Sequence, residues 1–119
     1  MAGITTHILD LTHGKPADHV AVALYIFDSA QSAWTCLKKA ATNSDGRLDS
    51  PLLSGEEVEA GKYKLVFSIG DYFRRQEISL PDPPFLEEVP VCFGIADPAS
   101  HYHIPLLVSP WGYQVYRGS

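Results

Sequence analysis

His101-Tyr102-His103-Ile104-Pro105-Leu106-Leu107-Val108-Ser109-Pro110 decides the fold, because its side chains sort into two faces at a period of two. Tyr102, Ile104, Leu106 and Val108 fall on one face, and His101, His103, Pro105 and Leu107 on the other. That is a half-buried strand. After the Ser109-Pro110 break, residues 111–117 alternate again, with Tyr116 opposed to Tyr113 and Val115. Working back from there, the same period recurs. Residues 4–9 set Thr5, His7 and Leu9 against Ile4, Thr6 and Ile8, while residues 19–27 are apolar on both faces. Residues 34–41 make a third strand; Gly61 introduces Tyr63, Leu65 and Phe67 against Lys62, Lys64 and Val66; Val89, Val91, Phe93 and Ile95 share a face. Thr12-His13-Gly14-Lys15-Pro16 and Thr42-Asn43-Ser44-Asp45-Gly46-Arg47 carry turn chemistry, and Arg47 leaves its turn to begin a short fourth strand. Residues 71–76 predict a short helical turn, and Pro81, Pro83 and Pro84 break regular structure. Seven or eight short strands separated by turns predict an all-β fold, a two-sheet antiparallel β-sandwich with one short helix, in a single domain over residues 1–119.

Size and charge narrow the function classes. A chain of 119 residues buries roughly 65% of the surface that its unfolded form exposes, which is one core. Apolar residues make up 45% and charged residues only 19%, a surface light enough in charge to be partly covered by a partner subunit. Fourteen acids against nine lysines and arginines give a net charge of -5, which disfavours nucleic acid and anionic membrane as partners. Cys36 and Cys92 form no CxxC and read as small buried or half-buried thiols in a reducing compartment. No long apolar run or signal peptide is seen, so a soluble cytoplasmic protein is expected. The closing Arg117-Gly118-Ser119 is not the Ser-Lys-Leu peroxisomal address, although peroxisomal import by another signal is compatible with the sequence.

Chemistry concentrates near the end of the chain. His101 and His103 share a strand face away from the apolar stripe, where a neutral imidazole can serve as a general base. The same pair also reads as surface or interface histidines with ordinary hydrogen bonds, and it resembles half of a zinc site with His7 as a third ligand. No carboxylate or cysteine is placed to finish such a set, so no metal is expected. Arg47, at a turn exit, can grip a carbonyl-rich or anionic ligand with its planar fork, or be a solvated hairpin charge. Tyr116 offers a hydroxyl or an interface ring, and Ser119 a hydroxyl and a terminal carboxylate that Arg117 could anchor. Phosphate loops and Gly-x-Ser-x-Gly elbows are missing.

Several blocks taken together are more specific than any one of them. Thr5-Thr6-His7-Ile8-Leu9-Asp10, Gly14-Lys15-Pro16-Ala17, Asp45-Gly46-Arg47, Gly70-Asp71-Tyr72-Phe73, His101 through Leu107, and Tyr116-Arg117-Gly118-Ser119 run in order along nearly the whole chain. In this the sequence resembles the 5-hydroxyisourate hydrolase family, the transthyretin-like enzymes. Hormone-carrying transthyretin resembles that family in fold but lacks its histidines and its Arg-Gly-Ser tail. The resemblance implies two four-stranded sheets, a short helix after the Gly61 strand, and a homotetramer with active sites in a channel at a subunit interface. It also implies a small planar purine-derived substrate: the cyclic amide of 5-hydroxyisourate, a product of urate oxidation, is hydrolysed to 2-oxo-4-hydroxy-4-carboxy-5-ureidoimidazoline without a cofactor. The residues that carry over are His7, Arg47 and His103 as catalytic, with His7, Arg47, Tyr116 and Ser119 binding substrate and His101, Arg117 and Gly118 in support. His7 and His103 would activate and orient water, with the base not assigned between them. Three other readings stand beside this one: a non-enzymatic small-molecule binder using the intersubunit channel, a metal-dependent hydrolase built on His101 and His103, and a purely structural oligomer.

Overall fold

The computed structural model describes residues 2–119. Within them the strands are β1 (Gly3–Asp10), β2 (Lys15–Pro16), β3 (Ala21–Asp28), β4 (Ala33–Ala41), β5 (Leu53–Ser54), β6 (Gly61–Phe67), β7 (Val89–Ile95), β8 (His101–Ser109) and β9 (Gly112–Val115). One helix, α1 (Ile69–Arg74), follows β6. The first sheet runs β2-β1-β8-β9, with β5 also paired to β1, and the second runs β4-β3-β6-β7. Their inner faces meet in one core that includes Ile4, Ile8, Leu24, Leu65, Phe67 and Leu106, all fully buried. Each such side chain contributes roughly 1.5–3 kcal/mol by leaving water. Period-two alternation therefore reads correctly along β1, β6, β7 and β8: Ile4, Thr6 and Ile8 point in with Tyr102, Ile104, Leu106 and Val108.

The sandwich differs from its sequence expectation in several places, beginning with the first sheet, which has five strands where four were expected because β5 adds to β1. Pairing is antiparallel except between β1 and β8, which run parallel in register from Gly3↔His101 to Asp10↔Val108. Alternation sets which face a side chain takes and is blind to strand direction, so this pair could not be read from the pattern. Arg47 begins no strand. It makes a single bridge to His7, and the short strand comes later, at Leu53–Ser54. Asn43 is the reason: its Oδ1 accepts from the backbone N–H of Asp45 at 2.8 Å and of Arg47 at 3.2 Å, so the chain is still turning at Arg47. Cys36 and Cys92, expected buried or half-buried, are both free and exposed. They pair with Tyr25 and Lys64 on the solvent face of the second sheet.

Two devices fix the part of the fold that matters below. The outer edge of β1 is covered in sequence by β5, by Arg47 and by β2. At the far end of β1, buried Asp10 accepts from Tyr72 Oη at 2.7 Å, His13 Nδ1 at 2.6 Å and the backbone N–H groups of Thr12 and His13. This ties α1 to the end of β1. The helix starts at Ile69, before the expected residues 71–76, because Ile69 and Gly70 are buried and Gly70 donates its N–H to the Glu87 carbonyl at 2.9 Å. Among the described residues no helix is long and apolar enough to cross a membrane.

Candidate active site

Paired residues on neighbouring strands point to the same side of a sheet, so the parallel register of β1 and β8 assembles a polar patch on the outer face of the first sheet. Thr5 stands beside His103, and His7 beside Pro105. The bridge to Arg47 adds that residue next to His7, and the bridge from His103 to Gly118 adds the tail. The register between Leu106↔Val115 and His103↔Gly118 puts Tyr116 opposite Pro105. Arg47, His7, His103 and Tyr116 thus come from four separated segments onto one face. His7 and His103 are half-buried there, and Arg47 and Tyr116 exposed.

Hydrogen bonds fix how the imidazoles are presented. His7 Nε2 lies 2.9 Å from the Asp45 carbonyl oxygen. A carbonyl only accepts, so Nε2 carries the proton and Nδ1 keeps its lone pair. His103 Nδ1 lies 2.8 Å from Thr5 Oγ1, which leaves Nε2 as its open nitrogen. Burial first, then the Arg47 guanidinium, lowers the pKa of His7 below the ordinary 6.5, against an opposing pull from the Asp45 carbonyl and carboxylate. For His103 the order is burial, then Arg47, then His7 and His101, all lowering. Both rings are therefore mainly neutral at pH 7, with lone pairs available to take a proton beside a fixed positive charge.

The tail divides between the two sides of its strand. Gly118 donates its N–H to the His103 carbonyl at 2.7 Å, and a Cβ at Gly118 would sit 2.7 Å from His103 Cδ2, so only glycine lets the tail lie this close. Arg117 points the other way. Its guanidinium stacks 4.1 Å above the Tyr102 ring and donates to the His101 carbonyl at 3.1 Å. There it helps line an apolar recess of about 230 Å³ with Val91, Phe93, Ile104 and Val115, between the sheets and away from the imidazoles. A second recess, of about 190 Å³, opens beside Arg47 and is lined also by Thr5, Asp49 and Ser50. Ser119 follows Gly118 and is exposed.

His101 is exposed, with Nε2 3.1 Å from the same Thr5 hydroxyl. Among the described residues no three His, Cys, Asp or Glu side chains stand together as a metal cluster. His7 spends its Nε2 on a carbonyl rather than turning it toward His101 and His103. Two contributors escaped the sequence reading, Thr5 and the Asp45 carbonyl. The phase of β1 does put Thr5 on the face of His7, a signal that was present. No local pattern reports that a backbone oxygen will orient a ring 38 residues away.

Comparison with known proteins bears on what this face belongs to. A bacterial relative from Mesorhizobium japonicum named 5-hydroxyisourate hydrolase is 56% identical over 116 residues, covering 98% of this chain and 91% of its own. The solved 5-hydroxyisourate hydrolase of Klebsiella pneumoniae superposes with a TM-score of 0.81 at 30% identity over the whole of both chains. A solved (S)-allantoin synthase superposes at 0.92 with 38% identity; 99% of this chain matches 44% of that one. The model of the HIUase/Transthyretin family matches residues 4–118. With nearly the full length matched, the chain belongs to the HIUase/Transthyretin family.

Proposed function

We propose that this protein hydrolyses 5-hydroxyisourate to 2-oxo-4-hydroxy-4-carboxy-5-ureidoimidazoline, using His7, Arg47 and His103. The observation that carries the reading is the convergence of two neutral imidazoles and one guanidinium on a single open face, in a chain 56% identical to a named hydrolase of that compound. One imidazole takes a proton from water as the water oxygen bonds to the ring carbonyl carbon. Arg47 offers its planar N–H fork to the oxygen on which negative charge develops. The tetrahedral species collapses with loss of the C–N bond, the proton passes to the leaving nitrogen, and a carboxylate and a ureido group result. Tyr116 and Ser119 bind the small planar substrate; Gly118 keeps the tail against His103, and Arg117 holds the tail down from behind.

The assembly in this reading is a homotetramer of single-domain chains in the cytoplasm, with the polar face closed by a neighbouring subunit. An outward apolar row on the same sheet supports this, with half-buried Leu9 beside Leu107 and then Leu11, which is 56% exposed. One continuous core supports the single domain, and two free surface thiols suit a reducing compartment. The test is decay of freshly generated 5-hydroxyisourate followed by circular dichroism. Saturable acceleration above the spontaneous rate is expected, with His103→Ala lowering kcat by about 10²- to 10⁴-fold in a folded protein. Binding without acceleration would overturn the hydrolase reading in favour of a carrier.

A further inference from the structure

Thr5 Oγ1 stands between two imidazoles, 2.8 Å from His103 Nδ1 and 3.1 Å from His101 Nε2. A hydroxyl has one proton, and a neutral imidazole has one N–H, so the three groups cannot choose their protons independently. If Thr5 donates to His101, it accepts from His103 Nδ1–H, and both rings carry their proton on Nδ1. If Thr5 donates to His103, both carry it on Nε2. Only the first arrangement leaves a lone pair on the open nitrogen of His103.

The surroundings are built for this contact. Gly3 pairs with His101 and Gly118 with His103. A Cβ on Gly3 would sit 3.1 Å from His101 Nδ1, and one on Gly118 would sit 2.7 Å from His103 Cδ2. Glycine at both positions lets the two rings lean in on the hydroxyl between them. Threonine also fits the electrostatics: it orients a base as a carboxylate would, but adds no negative charge that would raise the affinity of His103 for a proton.

We propose that Thr5 is a positioning residue: it donates its hydroxyl proton to His101 Nε2, accepts from His103 Nδ1–H, and so holds the Nε2 lone pair of His103 toward the reacting water. No proton passes through Thr5 during turnover. His101 acts one step further back, as the acceptor that decides which way the hydroxyl points. The kinetic consequence rests on the hydrolase reading above; the protonation pattern does not.

Long-range ¹H–¹⁵N correlation spectra of the histidine rings at neutral pH read that pattern directly in the intact protein. The Nδ1–H tautomer is expected for both His101 and His103, although free imidazole side chains in water favour Nε2–H. Thr5→Val keeps the shape and removes the hydroxyl. It is expected to return His103 toward Nε2–H and to lower kcat by about 10²-fold, as a misaligned reacting group does, with KM changed less than about twofold. Thr5→Ser is expected to restore both the tautomer and most of kcat. Wild-type His103 found as Nε2–H would overturn the proposal, and so would Thr5→Val with wild-type kcat. A wild-type protein that shows the Nδ1–H pair yet leaves 5-hydroxyisourate decay unchanged would sink the hydrolase reading and keep the hydrogen-bond pattern.

Discussion

In the proposed reaction His7 and His103 share one requirement, to be unprotonated at working pH, and the same neighbour helps enforce it. Arg47 is second only to burial among the influences that lower each ring. Activity that needs a neutral imidazole is therefore full above the lowered pKa and is lost as pH falls through it. The acid limb of kcat/KM is expected below the ordinary histidine value of 6.5. Arg47→Gln removes the positive charge, so the limb should move up toward 6.5 while the plateau falls about 10²-fold from loss of oxyanion stabilisation. A pH profile unmoved by that substitution would mean that Arg47 does not sense either ring. At this scale the sequence was informative about what stands on a face and mute about what touches it. His7, His101 and His103 were legible because a period of two sorts side chains without knowing the fold. The same period put Thr5 on the face of His7 but was silent about its hydrogen bonds, because its partners lie 96 and 98 residues away and a threonine hydroxyl bonds many things.

Elements position these residues through their edges and ends. The tail after β9 stays close to β8 because Gly118 has no side chain to push against His103. Gly118→Ala should therefore tilt the ring off Thr5, lowering kcat about tenfold or more while costing stability under about 1 kcal/mol, since the tail is a terminus with few buried contacts. Wild-type turnover with the tail still docked would show that the close approach is incidental. At the other end of β1, Asp10 binds the turn and α1 together. Burial alone would raise its pKa, but the hydrogen bonds from Tyr72 and His13 outweigh this and leave it lowered. The folded value is below the unfolded one, so this stabilisation is complete above about pH 4 and fades as pH drops through the lowered value. Asp10→Ala leaves the Tyr72 hydroxyl and two backbone N–H groups unmatched in a buried site. It should cost about 2–4 kcal/mol in denaturant unfolding. A loss under about 1 kcal/mol would mean that water replaces the carboxylate. Strand existence was legible because alternation is local. The parallel pairing of β1 with β8 and the late β5 were not, because direction and pairing depend on chain reversals that no single segment encodes.

For the molecule as a whole, the decisive asymmetry is between the two outer sheet faces. That of the second sheet carries Lys62 and Lys64 over aromatic rings, as a solvated face does. That of the first sheet runs from the His7–His103 patch straight into Leu9, Leu107 and Leu11. An antiparallel or mixed sheet that faced water there would show polar side chains instead. This apolar row lies one register step beyond His7 and Pro105, so whatever covers it must also overhang the imidazoles. In the tetramer proposed above that covering is another copy of the chain. Leu107→Arg puts a charge on the row without entering the core, since Leu107 points away from the buried Leu106 and Val108. Sedimentation equilibrium should give four times the mass of one chain for the wild type and a smaller species for the variant. Its kcat/KM should fall at least about tenfold although His7, Arg47 and His103 are all present, because a site left open to water loses the electrostatic strength that enclosure gives. Far-ultraviolet circular dichroism guards against simple unfolding. A folded, smaller Leu107→Arg species with full activity would place the complete site within one chain, and the subunit-interface channel would then have to be abandoned.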